Sequence, residues 1–387
     1  MMKYDFDTPV ARYGTDSIKW KVEEGELPMW VADMDFRTAP QIIEAIKARA
    51  DHGVFGYSDV EDDWYDAYIN WWDRRHGIKM DRSWLMFVTG VIPAISSAIR
   101  SVTDPGDKVL IQTPVYNVFA SLISHNNRVV SESPLVYENG QYHMDLTDLE
   151  AKASDPDVKA MILCNPHNPV GKIWDRDILA EVGRICHENN VLVISDEIHC
   201  DITSPGSSYV PFASASDICR ENSISVMAPT KCFNLAGLHS ACISVADKTL
   251  RAKIRKGIFT DDCSEPNSFS CLAAVTAFNE CGDWLDEMNA YVEQNRRRVA
   301  EFISEKLPEL YLVPGNATYL LWIDISATGH KSLEVARHIR KTTGLFITEG
   351  VHYGKCGDDF LRMNIACPAS VLEDGLTRLK KGIDLLS

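Results

Sequence analysis

The sequence predicts an α/β fold: a large domain built on a mostly parallel sheet between helices, followed by a smaller α+β domain. Three observations lead there. Short runs such as Leu85 to Val88, Lys159 to Cys164, Val191 to Ser195 and Ile224 to Ala228 are apolar throughout rather than alternating. Strands of that kind are buried on both faces, as in a parallel sheet. Amphipathic stretches lie between them, for example Asp177 to Asn189 with Ile178, Val182 and Ile185 on one face. Finally, 387 residues exceed one ordinary domain.

In chain order, residues 1–36 are irregular, punctuated by Pro9, Gly14, Gly25 and Pro28. The segment PMWVADMDF (28–36) is apolar and acidic together, as expected of an arm packed over another element or a neighbouring subunit. Pro40 opens a helix that closes before Gly53. From 55 to 77 a turn becomes a helix whose Trp64, Tyr68, Trp71 and Trp72 recur at helical spacing. That stripe is core rather than a base-stacking platform, because its polar face is acidic.

Strand and helix alternate from residue 85, with further strands over Lys108 to Gln112 and Ala241 to Val245. A long helix, about Trp284 to Leu307, leads into the second domain. There strands Tyr319 to Ile325 and Phe360 to Ile365 mix with helices Ser332 to Lys341 and Val371 to Leu385. The expected division is 1–47 (arm and part of the small domain), 48–285 (large, ligand-binding domain) and 286–387 (C-terminal small domain).

Composition narrows the partners. A net charge of −16 argues against nucleic acid or an anionic membrane, both of which need basic surface. The start MMKYDFDTPV has no basic region followed by an apolar core, so no secretory signal is expected. The 11 cysteines are scattered with no C-x-x-C, which fits reduced thiols in a cytoplasmic protein. There is no H-E-x-x-H, no metal-spaced Cys/His cluster and no G-x-S-x-G, so no metal is expected. His199 and Cys200 are adjacent and would point apart on a strand.

Chemistry-bearing residues gather at strand ends, where a parallel sheet binds its ligands. Lys231 lies just past the strand Ile224 to Ala228. Burial there would lower its pKa and free an amine able to condense with an aldehyde, although an isolated loop lysine is also an ordinary surface residue. Asp196, in SDEIH, would be desolvated and need a cationic partner, such as a protonated pyridine nitrogen, or else would cap a helix. Thr89-Gly90-Val91-Ile92, where strand turns into helix, offers free N–H groups to a phosphate or is simply a turn. The two Asn-Pro pairs of NPHNPVG (165–171) make a rigid loop presenting an amide. Tyr116 is suited to stacking on a planar ring or to core packing. Arg362, inside an apolar run, needs a carboxylate, from a substrate or from the protein itself.

Together, PMWVADMDF (28–36), FGYSD (55–59), CNPHNPVGK (164–172), SDEIHCD (195–201) and APTKCFNLAGL (228–238) closely resemble the fold-type I pyridoxal phosphate enzymes of the class I/II aminotransferase family. Within it they resemble the C–S β-lyase branch, the cystathionine β-lyases and cysteine desulfhydrases. The resemblance covers nearly the whole chain and implies a seven-stranded sheet in the large domain and a homodimer with shared active sites. It implies that Lys231 is joined to the cofactor, pyridoxal 5′-phosphate, and that Asp196 pairs with its ring nitrogen. Asn168 would bond the ring's 3′-oxygen, with Tyr116 stacked on the ring and His199 beside it. Gly90, Val91, Ile92, Thr230 and His239 would lie at the phosphate, and Tyr57 would reach the neighbouring subunit's phosphate. Arg362, with Asn168, Tyr116, Ala32, Asp33 and Tyr319, would bind an amino-acid substrate, and Trp30 would shape the pocket.

Two departures stand out. Many aminotransferases have arginine where this chain has His239, and tyrosine where it has His199. Both lean toward a lyase and away from a transaminase. The implied activity is α,β-elimination from a sulfur amino acid, giving thiol, pyruvate and ammonia. The alternatives are an aminotransferase on the same scaffold and a regulatory protein that binds a transcription factor.

Overall fold

The computed structural model describes residues 2–386. Its central element is a seven-stranded sheet. The strands in chain order are β1 (Leu85–Val88), β2 (Lys108–Ile111), β3 (Val129–Glu132), β4 (Val158–Cys164), β5 (Leu192–Asp196), β6 (Ser223–Met227) and β7 (Ala241–Ser244). Their spatial order is β1-β7-β6-β5-β4-β2-β3, and only β7 runs antiparallel to its neighbours. The continuous apolar runs are explained by this burial: β1 and β6 have no residue outside the core.

A second sheet of four antiparallel strands is formed by β8 (Tyr311–Leu312), β9 (Leu320–Asp324), β10 (Thr348–Glu349) and β11 (Phe360–Asn364), in the order β8-β9-β11-β10. The 25-residue helix Gly282–Lys306 leads into it, and helices Ser332–Thr343 and Ala369–Asp384 pack against each other beside it.

The aromatic stripe of the helix Asp62–His76 is core, as its spacing predicts. Trp64, Tyr68, Trp71 and Trp72 are all buried, against Phe278, Phe233 and Phe87. The helix stops at Gly77, whose φ of +67° suits a residue without a Cβ. The arm at 27–28 pairs in parallel with residues 345–346, and the Asn364 N–H of the second sheet donates to the Met29 carbonyl at 2.9 Å, so PMWVADMDF is laid against that sheet. Among the described residues, no helix is long and apolar enough to cross a membrane.

The strand expected over Val191 to Ser195 runs from Leu192 to Asp196 and stops before His199 and Cys200. β5 stops at Asp196, and the Asp196 carboxylate accepts the N–H of Ile198 at 3.1 Å, closing a turn. No helix begins there, so Asp196 is not a helix cap. His199 and Cys200 therefore diverge on a turn rather than on a strand. His199 faces the cavity described below, whereas Cys200 lies with Asp201 and His76 on the other side. Asp201 there accepts from Trp71 at 3.0 Å and meets His76 Nε2 at 3.0 Å, so its oxygens are already engaged.

Candidate active site

A cavity of about 460 Å³ opens at the carboxyl ends of the parallel strands. Thr89 to Pro93 come after β1, Tyr116 after β2, Asn168 after β4 and Lys231 after β6, while Asp196 ends β5; all of them line it. That is where the crossover rule of parallel sheets places a ligand. Arg362, from β11 of the second sheet, completes the wall.

Lys231 Nζ donates to the carbonyl oxygen of Ala32 at 2.6 Å. Burial lowers its pKa to about 8. Asp33 and Asp196 oppose the fall and Arg362 adds to it. Asp196 is buried with no cation within ion-pair distance among the described residues. Desolvation, aided by Glu197, raises it to about 7, against the Ile198 N–H and Lys231. His199 is also buried, and its Nδ1 has no partner. Burial, with Lys231 and Arg362 nearby, lowers it to about 3, so its imidazole is neutral at pH 7. Tyr116 is half-buried and its hydroxyl pKa is raised by burial and by Asp196.

The helix Val91–Val102 begins at Gly90, which has φ +150° and no side-chain cap. A residue with a Cβ is strained at that φ. The first N–H groups of a helix lack intrahelical partners, and here those of Val91 and Ile92 sit at the cavity wall while Pro93 has none to offer. Thr230 is buried beside them; His239 is exposed on the rim.

Arg362 has no carboxylate partner among the described residues. Its Nη1 donates to Asn168 Oδ1 at 3.2 Å and its Nη2 to the Trp30 carbonyl at 2.7 Å, while Nε is buried and unpaired. Its guanidinium lies 4.7 Å from the centre of the Tyr353 ring. Asn168 spends its carbonyl oxygen on Arg362, which leaves its amide N–H groups for a ligand oxygen.

Three expected residues lie elsewhere. Asp33 is not in the cavity wall, because its carboxylate turns away to Arg12 at 2.8 Å and Lys19 at 3.7 Å. Tyr319 is fully buried behind the wall, its hydroxyl on the Ala32 carbonyl at 3.1 Å. Asp33 acts on the cavity through its charge near Lys231, and Tyr319 through the Ala32 carbonyl and an edge-on contact with His199 at 6.3 Å. Tyr57 is fully exposed and outside this chain's own cavity. Conversely, Thr348, His352 and Tyr353 line the site and carry no signal in the sequence: they sit in a two-residue strand and a short 3-10 turn, too brief for periodicity.

The donor set fits pyridoxal phosphate. A buried carboxylate without a cation, an amine with a lowered pKa and an uncapped helix N-terminus meet in one cavity of sufficient size. Fold and site together define a fold-type I pyridoxal phosphate enzyme.

The comparisons with known proteins agree. The family model for aminotransferase class I and II matches residues 27–379, and the chain belongs to that family. It is 40% identical to cystathionine beta-lyase PatB of Bacillus subtilis, over 98% of this chain and 100% of that protein. It superposes with a TM-score of 0.96 on cystalysin from Treponema denticola, a structure that contains pyridoxal 5′-phosphate, at 32% identity and covering 100% of both chains. The PLP-bound C–S lyase from Staphylococcus hominis gives a TM-score of 0.93 at 32% identity, over 99% of this chain and 98% of that one.

Proposed function

We propose that the protein is a pyridoxal phosphate-dependent C–S β-lyase. It cleaves cystathionine- or cysteine-type amino acids by α,β-elimination to a thiol, pyruvate and ammonia. The observation that carries the chemistry is the convergence of Lys231, Asp196 and a carboxylate-free Arg362 on one cavity. The full-length similarity to a cystathionine β-lyase carries the choice of elimination.

Each residue then has a task. Arg362 takes the substrate's α-carboxylate, using the Nε and the guanidinium edge that the protein leaves unpaired. Asn168 fixes that guanidinium and offers its amide to the ring's 3′-oxygen. Tyr116 covers the ring face, and Val91 and Ile92 hold the phosphate by their N–H groups with Thr230. Bound there, the cofactor supplies an electron sink for charge at Cα. Asp196 maintains that sink by stabilising positive charge on the ring nitrogen. Lys231, with its amine free, would take the Cα proton. Its pKa near 8 leaves a useful fraction of free base at neutral pH.

The same reading makes the enzyme a cytoplasmic homodimer, with Tyr57 reaching the partner's phosphate. It is supported by the apolar side chains of Val54, Phe55 and Tyr57, each more than half exposed in a single chain. The division 1–47, 48–285 and 286–387 is supported by the seven-stranded sheet lying within 85–244 and the four-stranded one within 311–364.

The test is an absorbance spectrum of the purified protein, then addition of cystathionine with no keto acid present. Bound-cofactor absorbance and pyruvate release are expected. Turnover that needs a keto-acid acceptor and yields no pyruvate would instead mark a transaminase.

A further inference from the structure

We propose that His352 is a specificity determinant of this site, selecting thioether amino acids whose leaving group carries a carboxylate. The inference rests on the β-lyase reading and adds the substrate class.

Most ionisable side chains of the cavity have work close to the cofactor. Asp196, Lys231 and His199 surround the ring, His239 lies on the rim at the phosphate end, and Arg362 awaits the α-carboxylate. His352 has none. It lines the cavity, is exposed, and makes no hydrogen bond to any described residue. It stands on the Arg362 side, because its ring meets that of Tyr353 edge-on at 5.5 Å and Tyr353 lies against the guanidinium. Two of its neighbours on this wall are already occupied. The Trp30 indole N–H donates to the Lys19 carbonyl at 3.2 Å, and Thr348 Oγ1 to the Trp30 carbonyl at 3.4 Å. A substrate anchored on Arg362 therefore finds the His352 imidazole N–H free on the same side of the cavity.

The backbone that presents His352 is pinned on both sides. The Val351 N–H donates to Ser332 Oγ at 3.1 Å, and the Tyr353 carbonyl accepts from the Val115 N–H at 2.9 Å. Gly350 abuts the carbonyl oxygens of Gly357 and Phe360 with no room for a Cβ, and Gly354 has φ +126°. A pinned backbone spares the cost of ordering this turn when the imidazole engages a ligand.

The sign of the preferred charge is set by what is missing. Among the described residues Asp196, at the ring, is the one carboxylate in the cavity wall. A distal ammonium would meet no counter-charge from this chain, whereas a distal carboxylate would accept from the His352 imidazole N–H.

The test compares S-(2-carboxyethyl)-L-cysteine with S-(2-aminoethyl)-L-cysteine, which differ in the charge at the end of the leaving group. Both kcat/KM for pyruvate release and Kd from the cofactor absorbance change are measured on the holoenzyme. The native enzyme should favour the carboxyethyl compound by about tenfold or more, the scale of one hydrogen bond to a charged group. That ratio should collapse toward one in His352→Ala and be partly kept in His352→Gln, which retains an N–H donor. A native enzyme that does not discriminate, or a ratio unchanged in His352→Ala, overturns the proposal. Should neither compound release pyruvate, the Kd ratios still decide the role of His352, and only the lyase reading fails.

Discussion

Lys231 Nζ donates to the carbonyl oxygen of Ala32 over 2.6 Å, joining two residues that are 199 positions apart. The same backbone strip, two residues earlier, accepts from Arg362 at the Trp30 carbonyl at 2.7 Å. One strip thus sets the positions of the Lys231 amine and of the Arg362 guanidinium at the cavity wall. It is held from behind by buried and half-buried ion pairs. Arg12 meets Asp33 at 2.8 Å and Asp35 at 2.7 Å, and Lys19 meets Asp35 at 2.7 Å. Asn234 adds bonds to both the N–H and the carbonyl of Met34, at 3.0 Å each. This explains the acidic, apolar character of PMWVADMDF: its carboxylates anchor the strip and its carbonyls face the site.

Replacing Lys231 by alanine removes the base and the covalent attachment together. Turnover of cystathionine should fall below detection, while the phosphate and ring contacts keep part of the cofactor bound without a covalent link. A pyruvate assay measures the first effect, and absorbance after exhaustive dialysis measures the second.

Asp196 links pH to stability in the cofactor-free protein. Its folded pKa, about 7, lies above the unfolded value of 3.8. A raised carboxyl pKa gives a contribution fully present below about pH 4 and lost as pH rises through 7. At 1.36 kcal/mol per unit, the loss is about 4 kcal/mol. Thermal unfolding of the apoprotein should show this decline between pH 4 and 7, Asp196→Asn should flatten it, and added pyridoxal phosphate should reverse it. In the holoenzyme Asp196→Asn should lower kcat by roughly 100-fold or more, as removal of a preorganised charge does.

The lowered pKa of Lys231 predicts how the apoprotein takes up its cofactor. Only the free amine condenses with an aldehyde, so the rate of pyridoxal phosphate attachment should rise with pH through about 8 rather than near 10.5. Stopped-flow absorbance across pH 6 to 10 gives the midpoint.

Arg362→Lys keeps the charge but loses the fork that bonds Asn168 and Trp30 at once. KM for cystathionine should rise by about 10- to 100-fold, the scale of one or two charged hydrogen bonds, with a smaller change in kcat. Steady-state kinetics on the variant provide the check.

The cofactor end of the site is largely legible in the sequence, because it sits on strand ends. A strand of the type Ile224 to Ala228 announces itself by composition, and the residues just beyond it must emerge at the sheet edge. Lys231, Asp196, Asn168 and Gly90 are all recognisable in this way. The substrate end is less legible. Whether Asp33 faces the cavity or turns to Arg12 and Lys19 depends on how residues 12–19 fold back, which no local pattern encodes. Tyr319 immediately precedes β9, and its position is fixed by the pairing of that strand with β11 and by the Ile365 N–H, which donates to its carbonyl at 2.9 Å. Tyr353 and His352 gain their places from the packing of Gly350 against Gly357, a contact that glycine positions in the sequence do not reveal.

The attachment point of the cofactor is the most direct test of a Lys231-centred active site. Reducing the holoenzyme with borohydride makes the lysine–cofactor bond permanent, and peptide mapping by mass spectrometry then locates it. The pyridoxyl adduct should be found on the peptide containing Lys231. An adduct on any other lysine, such as Lys172, with Lys231 unmodified, would contradict this assignment.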